Sequence, residues 1–308
     1  MADDAYPPLL IVPDNLSDSS TSDWLTETTT YSYLKEQLIM PAYTQGHSSA
    51  MLNAHQCRSA SDSCGYFTPL LASRPTARIL DVGCGPGSIT ASLASLVPNG
   101  EVIGIDYSAD AIQRASTQSS IPENCTFQVA SLDDHLPFPD NSFDVVHTHQ
   151  VLIHLSDPVK ALVEMRRVCR PRGFVASREG DWGAFVVFPE TATLRRHMDL
   201  HGSIIRASGA EPNAGRHLRY WALQAGFKDE RITFSSSPIL YSGAEVTRWW
   251  GAVQAERFGG GTFKENVVTK GLAADEEVAS FGQAWLEWGE QPGAVYSAGC
   301  GEVVCWKD

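Results

Sequence analysis

Arg78-Ile79-Leu80-Asp81-Val82 runs directly into Gly83-Cys84-Gly85-Pro86-Gly87, and Ser88 to Leu96 follows with helical spacing. A short apolar run that ends in glycines predicts a buried strand and then a tight turn. Without a Cβ, such a turn adopts positive φ at little cost and lets the backbone approach a bound molecule. Strand, glycine turn and helix in that order open an α/β sheet.

Downstream the alternation repeats. Glu101 to Ile105 predicts a second strand ending at Asp106, and Ala109 to Ser116 a second helix. Strands near Thr126–Val129, Phe143–Thr148 and Gly173–Ser177 surround a helix over Pro158–Val168. The pattern predicts a Rossmann-like, doubly wound, mostly parallel sheet of the seven-stranded type, covered on both faces. After Arg178 the alternation loosens. Helices are expected over Pro189–Ser208 and Ala214–Ala225, a strand over Arg231–Leu240, an insertion over Ala244–Gly289, and one or two closing strands over Ala294–Trp306. Upstream, residues 1–22 hold Pro7, Pro8 and Pro13 with a polar stretch and read as a flexible arm, and 23–76 as a helical cap. Residues 77–308 then form the sheet domain, with lid insertions at about 187–210 and 244–290.

Composition narrows the function. Acids number 36 against 23 bases, a net charge of −13 with no basic run, which argues against a nucleic-acid substrate. The seven cysteines form no CxxC pair, and Cys300 and Cys305 lack a nearby His, so no metal site is expected. No run of 18 apolar residues and no basic, apolar leader occurs, which predicts a cytoplasmic protein without a membrane span.

The acids around the glycine turn choose among nucleotide ligands. A pyrophosphate against the turn would be repelled by Asp81, and Ser88 stands where dinucleotide binders want Gly or Ala. S-adenosylmethionine carries an ammonium and a sulfonium in place of phosphates, and Asp81 attracts both. Asp106, at the end of the second strand, is placed to accept the ribose hydroxyls.

With Ile79-Leu80-Asp81-Val82-Gly83-Cys84-Gly85-Pro86-Gly87, Gly104-Ile105-Asp106-Tyr107-Ser108, Leu136-Pro137-Phe138-Pro139-Asp140-Asn141-Ser142-Phe143-Asp144-Val145-Val146 and Glu164-Met165-Arg166-Arg167-Val168, the chain resembles class I S-adenosylmethionine-dependent methyltransferases. Within them it is similar to the group related to ubiquinone/menaquinone biosynthesis C-methyltransferases. The resemblance spans about residues 78–177. It implies that Asp81, Gly83 and Gly85 hold the methionine end, Asp106 the ribose and Tyr107 the adenine, with Cys84 and Gly87 also binding the cofactor. The Asp that commonly follows the third strand and meets the adenine amino group has no clear counterpart in Ala130-Ser131-Leu132-Asp133-Asp134-His135, where Ser131 or Asp133 takes that role beside Leu132. Tyr43 and Arg58 look like part of a cap over the cofactor, with Arg58 facing its carboxylate.

Methyl transfer needs an aligned nucleophile and a dry site, and a base only when the acceptor must lose a proton. His149 and His154 after the fourth strand, and Glu179 after the fifth, are the candidates, with His149 also beside the cofactor. Asp181, Trp182, Trp249 and Trp250 are the expected acceptor contacts, in an apolar chamber for a small-molecule acceptor. An inactive cofactor-binding scaffold and an NAD(P)-dependent oxidoreductase are the rival readings.

Overall fold

The computed structural model describes residues 58–132 and 135–308, leaving the predicted arm, most of the predicted cap, Tyr43 and Asp133 outside the described residues. A seven-stranded sheet runs in the order β3-β2-β1-β4-β5-β7-β6. Its strands are β1 (Arg78–Val82), β2 (Glu101–Asp106), β3 (Cys125–Val129), β4 (Phe143–His149), β5 (Cys169–Phe188), β6 (Ile232–Ser242) and β7 (Val295–Trp306). The pairs among β1 to β5 are parallel, and β7 runs antiparallel to both β5 and β6. This is the Rossmann-like methyltransferase topology that the alternating pattern predicts.

Successive strand residues point to opposite faces, so each central strand feeds two cores. Ile79 packs with Ile89, Leu93 and Phe67 on one face, under helices α1 (Ala60–Ser63) and α2 (Ser88–Leu96). Leu80 packs on the other with residues of α4 (Pro158–Val168) and α6 (Ala214–Gln224), while α3 (Ala109–Ser116) follows β2. The Ser108 side chain caps α3 and the Asp157 side chain caps α4.

One feature departs from the expected organisation. The fifth strand continues well past Ser177 to Phe188, because its second half pairs with β7 across an irregularity between Gly180 and Phe185. Local sequence, broken by Gly180 and Gly183, carries no signal for a ladder supplied by the far end of the chain. The second insertion consists of α7 (Ala244–Gly259), α8 (Gly261–Thr269) and α9 (Asp275–Gly289), which pack with α5 (Ala192–Ala207). A Cβ on Gly251 would meet Trp285 O at 2.6 Å, and one on Gly282 would meet Gly259 Cα at 3.0 Å. These glycines let α7 and α9 touch backbone to backbone, running antiparallel. Trp285 and Trp288 are buried in the core between the insertion helices and the sheet. No helix among the described residues is long and apolar enough to cross a membrane.

Candidate functional site

The turn after β1 lies at the C-terminal edge of the parallel strands, where open α/β sheets bind ligands. Gly83 and Cys84 donate their backbone N–H groups to Ile105 O, at 2.7 and 2.9 Å, tying the turn to the end of β2. Gly83 has φ +69°, and a Cβ there would lie 2.3 Å from Val151 Cγ2, so no other residue fits. A Cβ at Gly85, by contrast, would meet nothing within 4 Å and would project into open space. Gly87 starts α2 against Phe127 and is not among the residues that face the cavity, so it shapes the turn instead of lining it.

A cavity of about 290 Å³ opens beside this turn. Its floor includes Asp81, Gly83, Cys84, Gly85, Asp106 and Tyr107, with Ser131 and Leu132 at one side. His149, Gln150 and His154 enter from the end of β4 and the turn behind it, and Arg58 from the start of the described chain. The opposite wall is aromatic: Trp182, Phe185, Tyr241, Trp250 and Tyr296. Trp182 stacks on Phe185 at 5.0 Å between ring centroids, and Tyr241 on Trp250 at 4.2 Å.

Asp106 is placed by the turn it faces. Its Oδ2 accepts from Gly85 N at 3.0 Å and its Oδ1 from Ser108 N at 2.9 Å, which aims the carboxylate at the turn. Asp81 is only 2% exposed and is held from behind. Its Oδ1 meets His147 Nδ1 at 2.7 Å and its Oδ2 accepts from Thr90 Oγ1 at 2.6 Å, while His147 Nε2 meets Cys64 Sγ at 3.4 Å. Burial disfavours charge on His147, but Cys64 and the Asp81 carboxylate more than offset it and raise its pKa from 6.5 to about 10. The charge of Asp81 is thus shared with an imidazolium, a partner that the sequence alone does not reveal because it is set by the register pairing Asp81 with His147 across β1 and β4.

A pH-dependent stability follows. The folded pKa of His147 lies above its unfolded value, so its contribution is complete below about 6.5 and is lost as pH rises through about 10. Replacing His147 by Gln should cost roughly 2–5 kcal/mol below neutrality and progressively less in alkali. Thermal unfolding of both proteins across that range checks it; a constant difference would mean that His147 is not charged.

Three further expected site residues do not line the cavity. Glu179 is fully buried and accepts backbone N–H bonds from Val151 and Leu152 (3.1 Å each) and from Ile153 (3.2 Å), which holds it behind the turn. Burial pushes its pKa up to about 7, against the pull of those N–H groups. Asp181 forms a two-point pair with the Arg216 guanidinium, at 2.6 and 2.5 Å, and is not among the cavity-lining residues. Trp249 is 39% exposed, because one helical step of about 100° turns it away from the face that Trp250 presents to the cavity. The sequence reading missed Gln150, Gln254, Arg257, Tyr241 and Tyr296, all lining the cavity. For two of them a signal exists: Trp250, Gln254 and Arg257 fall at i, i+4 and i+7, one helical face.

Fold, glycine turn and paired acids define an S-adenosylmethionine-dependent methyltransferase. A methyltransferase-domain family model matches residues 73–211. An uncharacterized methyltransferase of Schizosaccharomyces pombe is 33% identical over 287 residues, 86% of this chain and 96% of the relative. The "Probable methyltransferase ltbC" of Aspergillus luteorubrus is 31% identical, over 86% of this chain and 97% of the relative. A demethylmenaquinone methyltransferase of Staphylococcus aureus is 30% identical, over 64% of this chain and 80% of the relative. The chain belongs to the class I S-adenosylmethionine-dependent methyltransferase family, and is related to the quinone methyltransferases within it.

The residues present suit that cofactor. The turn leaves open space at Gly85, and the Asp106 carboxylate beside it stands where a pyrophosphate would be repelled.

Proposed function

We propose that the protein methylates a small, largely apolar or aromatic acceptor held between the glycine turn and the aromatic wall. One observation carries this reading: a single cavity is bounded by Asp81, Gly85 and Asp106 on one side and by Trp182, Phe185, Tyr241 and Trp250 on the other. Cofactor and acceptor would share it, with little water between them.

In this reading Gly83, Cys84 and Gly85 admit the methionine end beside Asp81, Asp106 accepts the ribose hydroxyls, and Tyr107, Ser131 and Leu132 border the adenine. Arg58 faces the cofactor carboxylate. The bound cofactor supplies a methyl group activated by its sulfonium. The chain orients the acceptor, excludes water and, through His149, accepts a proton where the acceptor has one to lose. Burial, and then the charge of Arg257, push the pKa of His154 down to about 3, which leaves it neutral and a weak base.

One relative supports a small acceptor, since it is named a demethylmenaquinone methyltransferase. The test is methyl turnover with a panel of phenols, quinones, amines and thiols. Turnover confined to peptides or nucleic acids would remove the chamber from the account. Asp106→Ala tests the cofactor side. Without the charged acceptor, binding measured by calorimetry should weaken about tenfold or more, and unchanged affinity in the folded variant would take Asp106 out of the site.

A further inference from the structure

The lid helix α7 turns polar groups inward where a helix packed on an apolar chamber should carry aliphatic ones. Trp250 is 5% exposed and Gln254 3% exposed, and both line the cavity. Among the described residues, Trp250 Nε1 and Gln254 Oε1 have no hydrogen-bond partner. A buried polar atom left this way costs free energy, and such atoms are rare unless a ligand or water satisfies them. The indole of Trp250 is held in place by its stack on Tyr241 and by Tyr296, whose ring centroid lies 5.5 Å away. Gln254 follows at i+4, so the two side chains are neighbours on one face of the helix.

The chemistry of the two atoms selects their partner by elimination. An indole nitrogen only donates, and an amide oxygen only accepts. A carboxylate or phenolate has no proton to give, so it would satisfy Trp250 and leave Gln254 Oε1 unmet. An ether or a ketone fails in the same way. An ammonium group only donates, and would leave the Trp250 N–H unmet. A neutral hydroxyl does both through one oxygen, accepting from one side chain and donating to the other. The stacked rings of the same wall, Trp182 on Phe185 and Tyr241 on Trp250, favour a flat aromatic skeleton to carry it.

Resting on the reading that this chamber holds the acceptor, we propose that Trp250 and Gln254 form a recognition site for a neutral aromatic hydroxyl, which accepts from the indole N–H and donates to Gln254 Oε1. The acceptor class assigned here is a phenol with no carbonyl or carboxylate ortho to the hydroxyl, so that its proton is free to leave the ring plane's own substituents and reach Gln254. Such a hydroxyl ionises near pH 10 and is neutral at pH 7. No charge on the lid is needed for this contact. The two side chains select and orient the acceptor, and an analogue lacking the hydroxyl leaves two buried polar groups unpaired, the situation in which a site discriminates most strongly.

Equilibrium dialysis at pH 7 against the protein saturated with S-adenosylhomocysteine tests this, with 2-naphthol, 2-methylnaphthalene, 2-methoxynaphthalene and 2-naphthoate as probes. The naphthol should bind about tenfold tighter than 2-methylnaphthalene, which has the same shape and no polar atom, and about tenfold tighter than the methoxy compound, which accepts and cannot donate. It should also bind tighter than 2-naphthoate. In Gln254→Leu the preference over the methoxy compound should fall below about threefold, and in Trp250→Phe the preference over 2-methylnaphthalene should fall likewise. Equal affinity for 2-naphthol and 2-methylnaphthalene in the wild-type protein overturns the hydroxyl site and leaves the chamber assignment standing, and it needs no variant. Tighter binding of 2-naphthoate overturns the choice of a neutral group. Preferences unaltered in both variants overturn the roles of Trp250 and Gln254, and failure of all four probes to bind overturns the chamber reading as well.

Discussion

Replacing His149 by Ala should lower methyl transfer by roughly 10²–10⁴-fold while changing cofactor affinity less than about twofold. His149 is the last residue of β4, buried, and part of the cavity wall between the glycine turn and the aromatic side. Its neighbour His154 is a poor substitute, since a base whose pKa is pushed down to about 3 takes up a proton reluctantly at neutral pH. The expected kinetic signature is a fall in kcat and kcat/KM together, because the lost interaction forms only as the acceptor proton moves. An imidazole base works only when neutral, so the wild-type rate should decline in acid and the variant should lose that limb. His154→Ala should retain it. A loss of only a few-fold with the limb intact would mean that His149 packs against the acceptor without taking its proton.

How much of this was legible beforehand depends on the range of the interaction involved. Strand β1, its glycine turn and α2 are written in consecutive residues, as are the acids at 81 and 106, so their placement follows from local pattern. Partnership is another matter. Thr90 and His147 hold Asp81 through one helical turn and one strand register, and no spacing rule pairs them. The antiparallel edge of the sheet, where β7 returns between β5 and β6, likewise depends on chain ends that meet only on folding. The lid residues fail for a subtler reason. Trp249 and Trp250 are indistinguishable as letters, and only the helical phase set by packing of α7 on α9 turns one inward and the other out. The i, i+4, i+7 recurrence of Trp250, Gln254 and Arg257 was readable, but a mixed polar stripe looks like a solvated face until its burial is known.

Glu179 shows most clearly how a residue type in the right place can do different work, and Glu179→Gln should prove it by destabilising the protein by about 2–4 kcal/mol. Both carboxylate oxygens of Glu179 accept: Oε1 takes the N–H groups of Val151 and Leu152 and the Ser177 hydroxyl, and Oε2 takes the N–H of Ile153. An amide offers one oxygen and one NH₂ whose nitrogen accepts nothing, so one side of the new residue sets donor against donor, whereas a carboxyl, even when protonated, keeps acceptor lone pairs on both oxygens. The defect should reach the site, because this turn presents Val151 to Gly83 and His154 to the cavity. Cofactor affinity should therefore weaken by roughly 3–10-fold although Glu179 does not line the cavity. The pH dependence separates this role from that of a catalytic base. Burial raises the folded pKa from 4.5 to about 7, so the folded state holds its proton more tightly than the unfolded one. The contribution of Glu179 to stability is then complete below about 4.5 and declines as pH rises through about 7. Thermal unfolding should show the gap between wild type and Glu179→Gln widening as the pH is lowered from 7 toward 4.5, a slope that the variant itself lacks. A variant that unfolds at the wild-type temperature at every pH, yet loses turnover by orders of magnitude, would return Glu179 to the reacting centre.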